Sequence, residues 1–275
     1  MPAPVPIPAA IWFLAAICVA AAISIYGRMA QRIAAEGGKV RTGDMGLPEL
    51  LMSIVFASFF GIMMVVAIKR QSHGEEMVSI DAVLPNSVLF VAFTAGILGF
   101  MRYRGLRLGH VFGIDQATPL AALGWACGLL LAAFPLAGAA SALTVLAFKD
   151  HVSPQPLVEL FTNVSRQHDY LAVTKILISG VLIQPACEEF LFRGFFYGVW
   201  KRYLGPLGAG FLSCLLFATF HTSLAALAGL FVLSVCLTLA YERTGSLLVP
   251  IGMHALFNFV SLLFLYTQAQ FSLPT

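Results

Sequence analysis

The 275-residue sequence predicts an all-α fold, a polytopic membrane helix bundle of about eight transmembrane helices. Two observations carry that expectation. Hydrophobic residues make up 59% of the chain and charged residues only 11%, against about 25% charged in a soluble domain. Apolar segments also recur along the whole chain, each near the ~20 residues that a spanning helix needs. The candidate spans are 8–26, 49–68, 87–101, 119–148, 171–200, 206–222, 224–241 and 247–268. The third is short, and the fourth and fifth are long enough to tilt or to run past the membrane.

The first element starts without a charged flank. Met1 to Ala10 carries no basic residue, and the apolar stretch from Ile7 to Tyr26 is too long for a signal-peptide core. It ends in Arg28 and Arg32, so a retained first helix is expected. Residues 149–170 are polar enough for a surface loop. No linker, low-complexity tail or repeat divides the chain, which reads as one membrane domain over 1–275. Within it, 171–268 holds the chemistry and 1–150 supplies accessory helices. With eight spans, the loops and span ends after spans one, three, five and seven hold eleven of the sixteen Lys and Arg residues, from Arg28 to Arg243. The positive-inside rule makes that side cytoplasmic, with both termini outside. The basic residues form no run suited to nucleic acid. The five cysteines lie in apolar segments with no CxxC pair, which argues against a disulfide framework or a cysteine-ligated zinc site.

Most of the thirteen acidic residues sit in loops or at span edges. Glu188 and Glu189 do not. They lie in the apolar run from Leu177 to Trp200, and an ionisable group at membrane depth is costly and by default functional. The local sequence is Pro185-Ala186-Cys187-Glu188-Glu189-Phe190-Leu191-Phe192-Arg193-Gly194. On a helix, Glu189 and Arg193 share a face and pair, while Glu188 points about 100° away. The arginine therefore neutralises Glu189 and leaves Glu188 for another partner. Two adjacent carboxylates in a low dielectric resist ionising together, which suits one of them to proton transfer. Pro185 is expected to kink the helix just before the pair and to free a backbone carbonyl. A glutamate–arginine pair alone reads equally well as an ion pair locking two helices; the second glutamate shifts the balance toward chemistry.

Two histidines come later, both in spans. His221 ends Phe217-Ala218-Thr219-Phe220-His221, and His254 ends Pro250-Ile251-Gly252-Met253-His254, with Asn258 one turn later. A lone helical histidine is more often a satisfied core residue than a catalyst; two, with an asparagine on the second one's face, carry more weight. The other histidines, His73, His110, His151 and His168, fall in loops. If the chain turns back near Gly205-Pro206, Glu188 and His221 both lie about 22 Å from the turn and meet at one depth. His254 lies only about 12 Å from the turn at Ser246, so it joins them only if the 203–206 hairpin protrudes further.

Attack of water on a carbonyl group needs a deprotonated water and donors for the oxyanion. A carboxylate with an imidazole supplies the first, and an imidazole N–H with an amide supplies the second. Ser213 and Cys214 stand about two turns from His221, which disfavours a nucleophile–histidine pair on that helix. Two glutamates and two histidines suit zinc as well, yet His73-Gly74-Glu75-Glu76 has the wrong spacing for HExxH. No cofactor is the favoured reading and zinc the lesser one.

The motifs Glu188-Glu189-x-x-x-Arg193, Phe217-x-x-x-His221 and His254-x-x-x-Asn258, in this order, resemble those of the CAAX prenyl protease type 2 and bacteriocin-processing (CPBP, Abi) family of intramembrane glutamic proteases. The Thr244-Gly245-Ser246-Leu247 turn is similar too. The resemblance covers about the last hundred residues; the first 150 are alike only in being hydrophobic helices. It implies an eight-helix fold with a cavity open to one side of the membrane, which the charge bias makes the cytoplasm. It implies that Glu188 and His221 activate a water, that His254 and Asn258 stabilise the oxyanion, and that Glu189 and Arg193 hold the site together. The implied partners are the lipid bilayer and a peptide or protein substrate, of CAAX (prenylated) or bacteriocin/leader type. The chain's own end, Phe271 to Thr275, lacks a CAAX box. The alternative is a non-catalytic immunity or scaffold protein using the same polar cavity. A proton-relay transporter would be expected to show inverted repeats, and none is legible. Nothing in the sequence speaks to oligomeric state.

Overall fold

The computed structural model describes residues 9–73, 79–149 and 155–271. Gly74, Glu75 and Glu76, His151, Met1 to Pro8 and the terminal Ser272 to Thr275 lie outside the described residues. Among those described there is no strand. Seven helices are long and apolar enough to cross a membrane. In chain order the helices are α1 (Ala9–Glu36), α2 (Leu47–Ser72), α3 (Ile80–Tyr103), the short α4 (Leu108–Val111), α5 (Pro119–Phe148) and α6 (Pro156–Arg166). They continue as α7 (Tyr170–Phe220), α8 (Leu224–Thr244) and α9 (Leu248–Phe271).

One of the seven candidate spans doubles back on itself. Within α7, Gly205 has φ 71° and ψ 172°, a conformation that glycine adopts without a Cβ penalty. Pro206 then opens the returning limb, a position where its missing N–H is harmless. Ring contacts show that the limbs run antiparallel. Phe217 meets Phe192 at 5.2 Å between centroids, and His221 Nε2 lies 3.9 Å from Glu188 Oε2. The seven candidate spans thus comprise eight helical limbs, in line with the eight segments that the sequence predicts for a multi-pass membrane protein.

Two boundaries differ from expectation. α1 continues to Glu36 and α3 starts at Ile80, because hydropathy marks only the part of a helix inside the hydrocarbon. Residues 149–170 are not all loop. α6 forms there, with Pro156 in its first turn. Leu157, Leu160, Phe161 and Val164 recur at helical spacing and pack on Val173, Ile176 and Leu262.

Lipid-embedded helices gain little from hydrophobicity against one another, so small residues that let backbones approach dominate their contacts. α5 packs along α1, α8 and α9 through Ala22, Ala122, Ala126, Ala133, Ala137 and Ala240. The Tyr26 hydroxyl crosses this interface to the Leu129 carbonyl at 2.9 Å. A second cluster, rich in phenylalanine, joins α2 to the two limbs of α7 through Phe60, Phe192, Phe196 and Phe217.

The loops after the first, third, fifth and seventh crossings meet on one side. Lys39 N–H donates to the Glu242 carbonyl at 2.9 Å and Leu247 N–H to the Phe112 carbonyl at 3.0 Å. Arg202 donates to the Gly43 carbonyl at 3.0 Å, and Arg41 to the His110 carbonyl at 3.2 Å. This is the side that carries the excess of basic residues. Arg193, counted with them in the sequence, is 1% exposed and belongs to the interior, which leaves ten of the sixteen.

Candidate active site

The first limb of α7 is not a uniform α-helix. Ile178–Ile183 and Phe190–Tyr197 are π-helical and flank the α-helical Gln184–Glu189. Single π turns inside α-helices concentrate at functional sites. The kink expected at Pro185 is absorbed in the first of them. Gln184 N–H donates to the Ser179 carbonyl, five residues back, and Asn258 Nδ2 donates to the Gly180 carbonyl at 2.8 Å.

The helix faces separate the two glutamates. Glu189 is fully buried, and its Oε1 accepts from Arg193 Nη1 at 2.7 Å. The same oxygen faces His254 Nδ1 at 2.8 Å. Arg193 is held further by donating to Ser234 Oγ at 2.7 Å and by lying 4.3 Å from the centre of the Phe217 ring, a cation–π contact. Glu188 points elsewhere. Its Oε2 is buried, makes no hydrogen bond, and lies 3.9 Å from His221 Nε2 and 3.8 Å from His254 Nε2.

The hydrogen bonds settle part of the protonation. His221 Nδ1 sits 2.9 Å from the Phe217 carbonyl. A carbonyl only accepts, so Nδ1 carries the proton, and in the neutral ring Nε2 presents its lone pair toward Glu188. For His254, the carboxylate that Arg193 neutralises is the partner of Nδ1, which orients the ring and leaves Nε2 facing Glu188.

His254 reaches this level despite its short distance from Ser246. Lys201 and Arg202 bind the carbonyls of Val40, Gly43 and Met45, so the 203–206 tip extends beyond the loop layer. The π turns in the first limb also gain less length per residue. Asn258 donates to the Gly180 carbonyl of the first limb. Ser213 and Cys214 are engaged away from His221, with the Gly210 carbonyl at 3.3 Å and Thr238 Oγ1 at 3.6 Å. Among the described residues, no three His, Cys, Asp or Glu side chains are gathered as a metal site.

Sequence reasoning missed three parts. Ser234 looks like any small residue of an apolar span. The helices before residue 150 supply a cavity of about 620 Å³, walled by Phe56, Phe60 and Met63 of α2 and by Asn86 and Phe90 of α3, with Gln184 and Glu188 at its inner end. Val55, Phe59 and Leu89 in its lining are exposed, so the cavity opens to the outer surface of the helix bundle. The third part is Glu242, which is 2% exposed. It accepts from Tyr197 Oη and Val40 N–H and pairs with Lys201, pinning the 37–46 loop to α7 and α8. A side chain at Gly38 would collide with its carboxylate.

Residues 171–260 match the family described as Type II CAAX prenyl endopeptidase Rce1-like, in agreement with the CPBP resemblance of the motifs. The match spans 90 of the 275 residues and covers Glu188, Glu189, Arg193, His221, His254 and Asn258. No curated protein and no solved structure matches the chain.

Proposed function

We propose that this protein is an intramembrane endopeptidase of glutamic type. The observation that carries the reading is Glu188 Oε2, buried without a hydrogen bond between the Nε2 atoms of two histidines at 3.9 and 3.8 Å. Two acceptors at 3.9 Å, Glu188 Oε2 and His221 Nε2, suit the two hydrogens of one water. As that water attacks a peptide carbonyl, its proton passes to Glu188. The carbonyl oxygen becomes an oxyanion, and Glu188 returns the proton to the leaving nitrogen as the C–N bond breaks. His254, as imidazolium, donates from Nδ1 to Glu189 and from Nε2 to the oxyanion. Asn258 Nδ2 has a second hydrogen for the same oxyanion. Glu189 and Arg193 keep the His254 ring oriented.

The substrate reaches Glu188 from within the bilayer, through the apolar cavity between α2 and α3. It is a peptide or protein of CAAX (prenylated) or bacteriocin/leader type. The chemistry is metal-independent, and the basic side of the protein is cytoplasmic.

The test uses purified protein in detergent with a series of peptides that includes farnesylated CAAX peptides. Wild type, Glu188→Ala and His221→Ala are compared with and without a chelator. The expected result is cleavage that both variants lose and the chelator spares. Cleavage lost to the chelator and restored by zinc would replace the glutamic mechanism by a metal-dependent one. Cleavage that survives Glu188→Ala would sink the reading.

A further inference from the structure

The backbone ladder of α7 has one open rung. Gln184 N–H donates to the Ser179 carbonyl five residues back. The next bond in that pattern would join residue 185 to the Gly180 carbonyl, and Pro185 has no N–H to give. Gly180 is buried, and in a membrane protein a buried carbonyl without a partner costs several kcal/mol. The partner comes from α9, where Asn258 Nδ2 donates to that carbonyl at 2.8 Å. Close approach of the two helices permits it, since even a Cβ on Gly180 would meet Leu262 at 3.8 Å. The same turn is tied from the other side by Ser87 Oγ and Ser179 Oγ, 2.6 Å apart.

The rung matters because Glu188 lies immediately downstream of it. A π turn holds one more residue than an α turn, so its loss would rotate the downstream residues by about 100° around the helix axis. Glu188 would then leave the face shared with His221 and His254. We propose that Asn258 is a positioning residue: by capping the carbonyl that Pro185 leaves open, it fixes the π turn that aims Glu188 at the two histidines. This role is distinct from oxyanion donation, and only its readout rests on the endopeptidase reading.

Proline itself provides the test, because Pro185→Ala gives the helix back the missing N–H. Asn258→Ala is measured in the wild-type and in the Pro185→Ala background, with kcat and KM separated and thermal unfolding recorded. In the wild-type background we expect kcat to fall by more than about a hundredfold, since even 1 Å of misplacement costs that much, with KM little changed. In the Pro185→Ala background the same substitution should cost at least about tenfold less than in the wild type, because the alanine N–H takes over Gly180 and only the hydrogen offered to the oxyanion is lost. Asn258→Leu, of similar volume and without a donor, replaces the alanine if that variant does not purify as a single species. Equal losses in both backgrounds, with cleavage still dependent on Glu188, would overturn the positioning role and leave Asn258 acting on the substrate directly. Cleavage independent of Glu188 would instead overturn the glutamic mechanism.

Discussion

Arg193 concentrates the energetics of the site in one side chain. It is 1% exposed and bound at once to Glu189, Ser234 and the face of Phe217. Removing one partner of a buried pair leaves an uncompensated charge, at a cost of about 3–5 kcal/mol. Arg193→Ala should therefore lower the thermal unfolding temperature in detergent far more than a surface arginine such as Arg32→Ala. Arg193→Lys should fall between them, since lysine keeps the charge but not the planar fork or the stacking. An Arg193→Ala protein that melts like wild type would show that the pair does not hold the site. The Glu189–Arg193 pair was legible from its spacing and its apolar surroundings. Ser234 was not, because it lies 41 residues away on another helix and nothing local marks it.

Among the helices, the tightest test of packing is where α8 crosses α5. A Cβ at Gly229 would sit 2.9 Å from the Ala137 carbonyl and closer still to Ser141 Oγ. The backbone cannot yield as a flexible side chain would. Gly229→Val should push the helices apart and destabilise the protein by about 1–3 kcal/mol, read as a lower melting temperature, with Gly229→Ala milder. Unchanged melting of the valine variant would mean that the crossing is too loose to need glycine. Helix existence was legible throughout, since period and length both marked it. The π turns were not: the same residues fit an α turn, and the choice depends on Asn258 and Ser87 from other helices. The helix at Pro156–Arg166 was hidden for a related reason. Its apolar stripe of Leu157, Phe161 and Val164 is too short to stand out until α9 covers it.

For the whole molecule, the arrangement of loops tests the crossing count. Asp44 and Arg104 lie on the basic side and Gln167 on the other, and all three are exposed. With the native cysteines replaced, Asp44→Cys and Arg104→Cys should react with an impermeant thiol reagent from the same face of sealed vesicles. Gln167→Cys should react only from the opposite face. Labelling of all three from one face would overturn the alternation of the first four crossings. The bend was anticipated from Gly205-Pro206, because glycine and proline are the residues that a reversal favours. The pinning of the 37–46 loop by Glu242 was not, since a lone glutamate near a span end reads as a solvated one.

Composition and hydropathy were enough to establish the membrane helices, because the cost of placing polar groups in hydrocarbon acts on each segment by itself. Spacing was enough to separate Glu188 from Glu189, because helix geometry is local. The remaining features depended on side chains far apart in the chain: the meeting of both histidines at Glu188 Oε2, the capture of the Gly180 carbonyl by Asn258, and the cavity between α2 and α3. A lipid-facing phenylalanine and a cavity-lining one have the same sequence signature, and only the neighbouring helix distinguishes them.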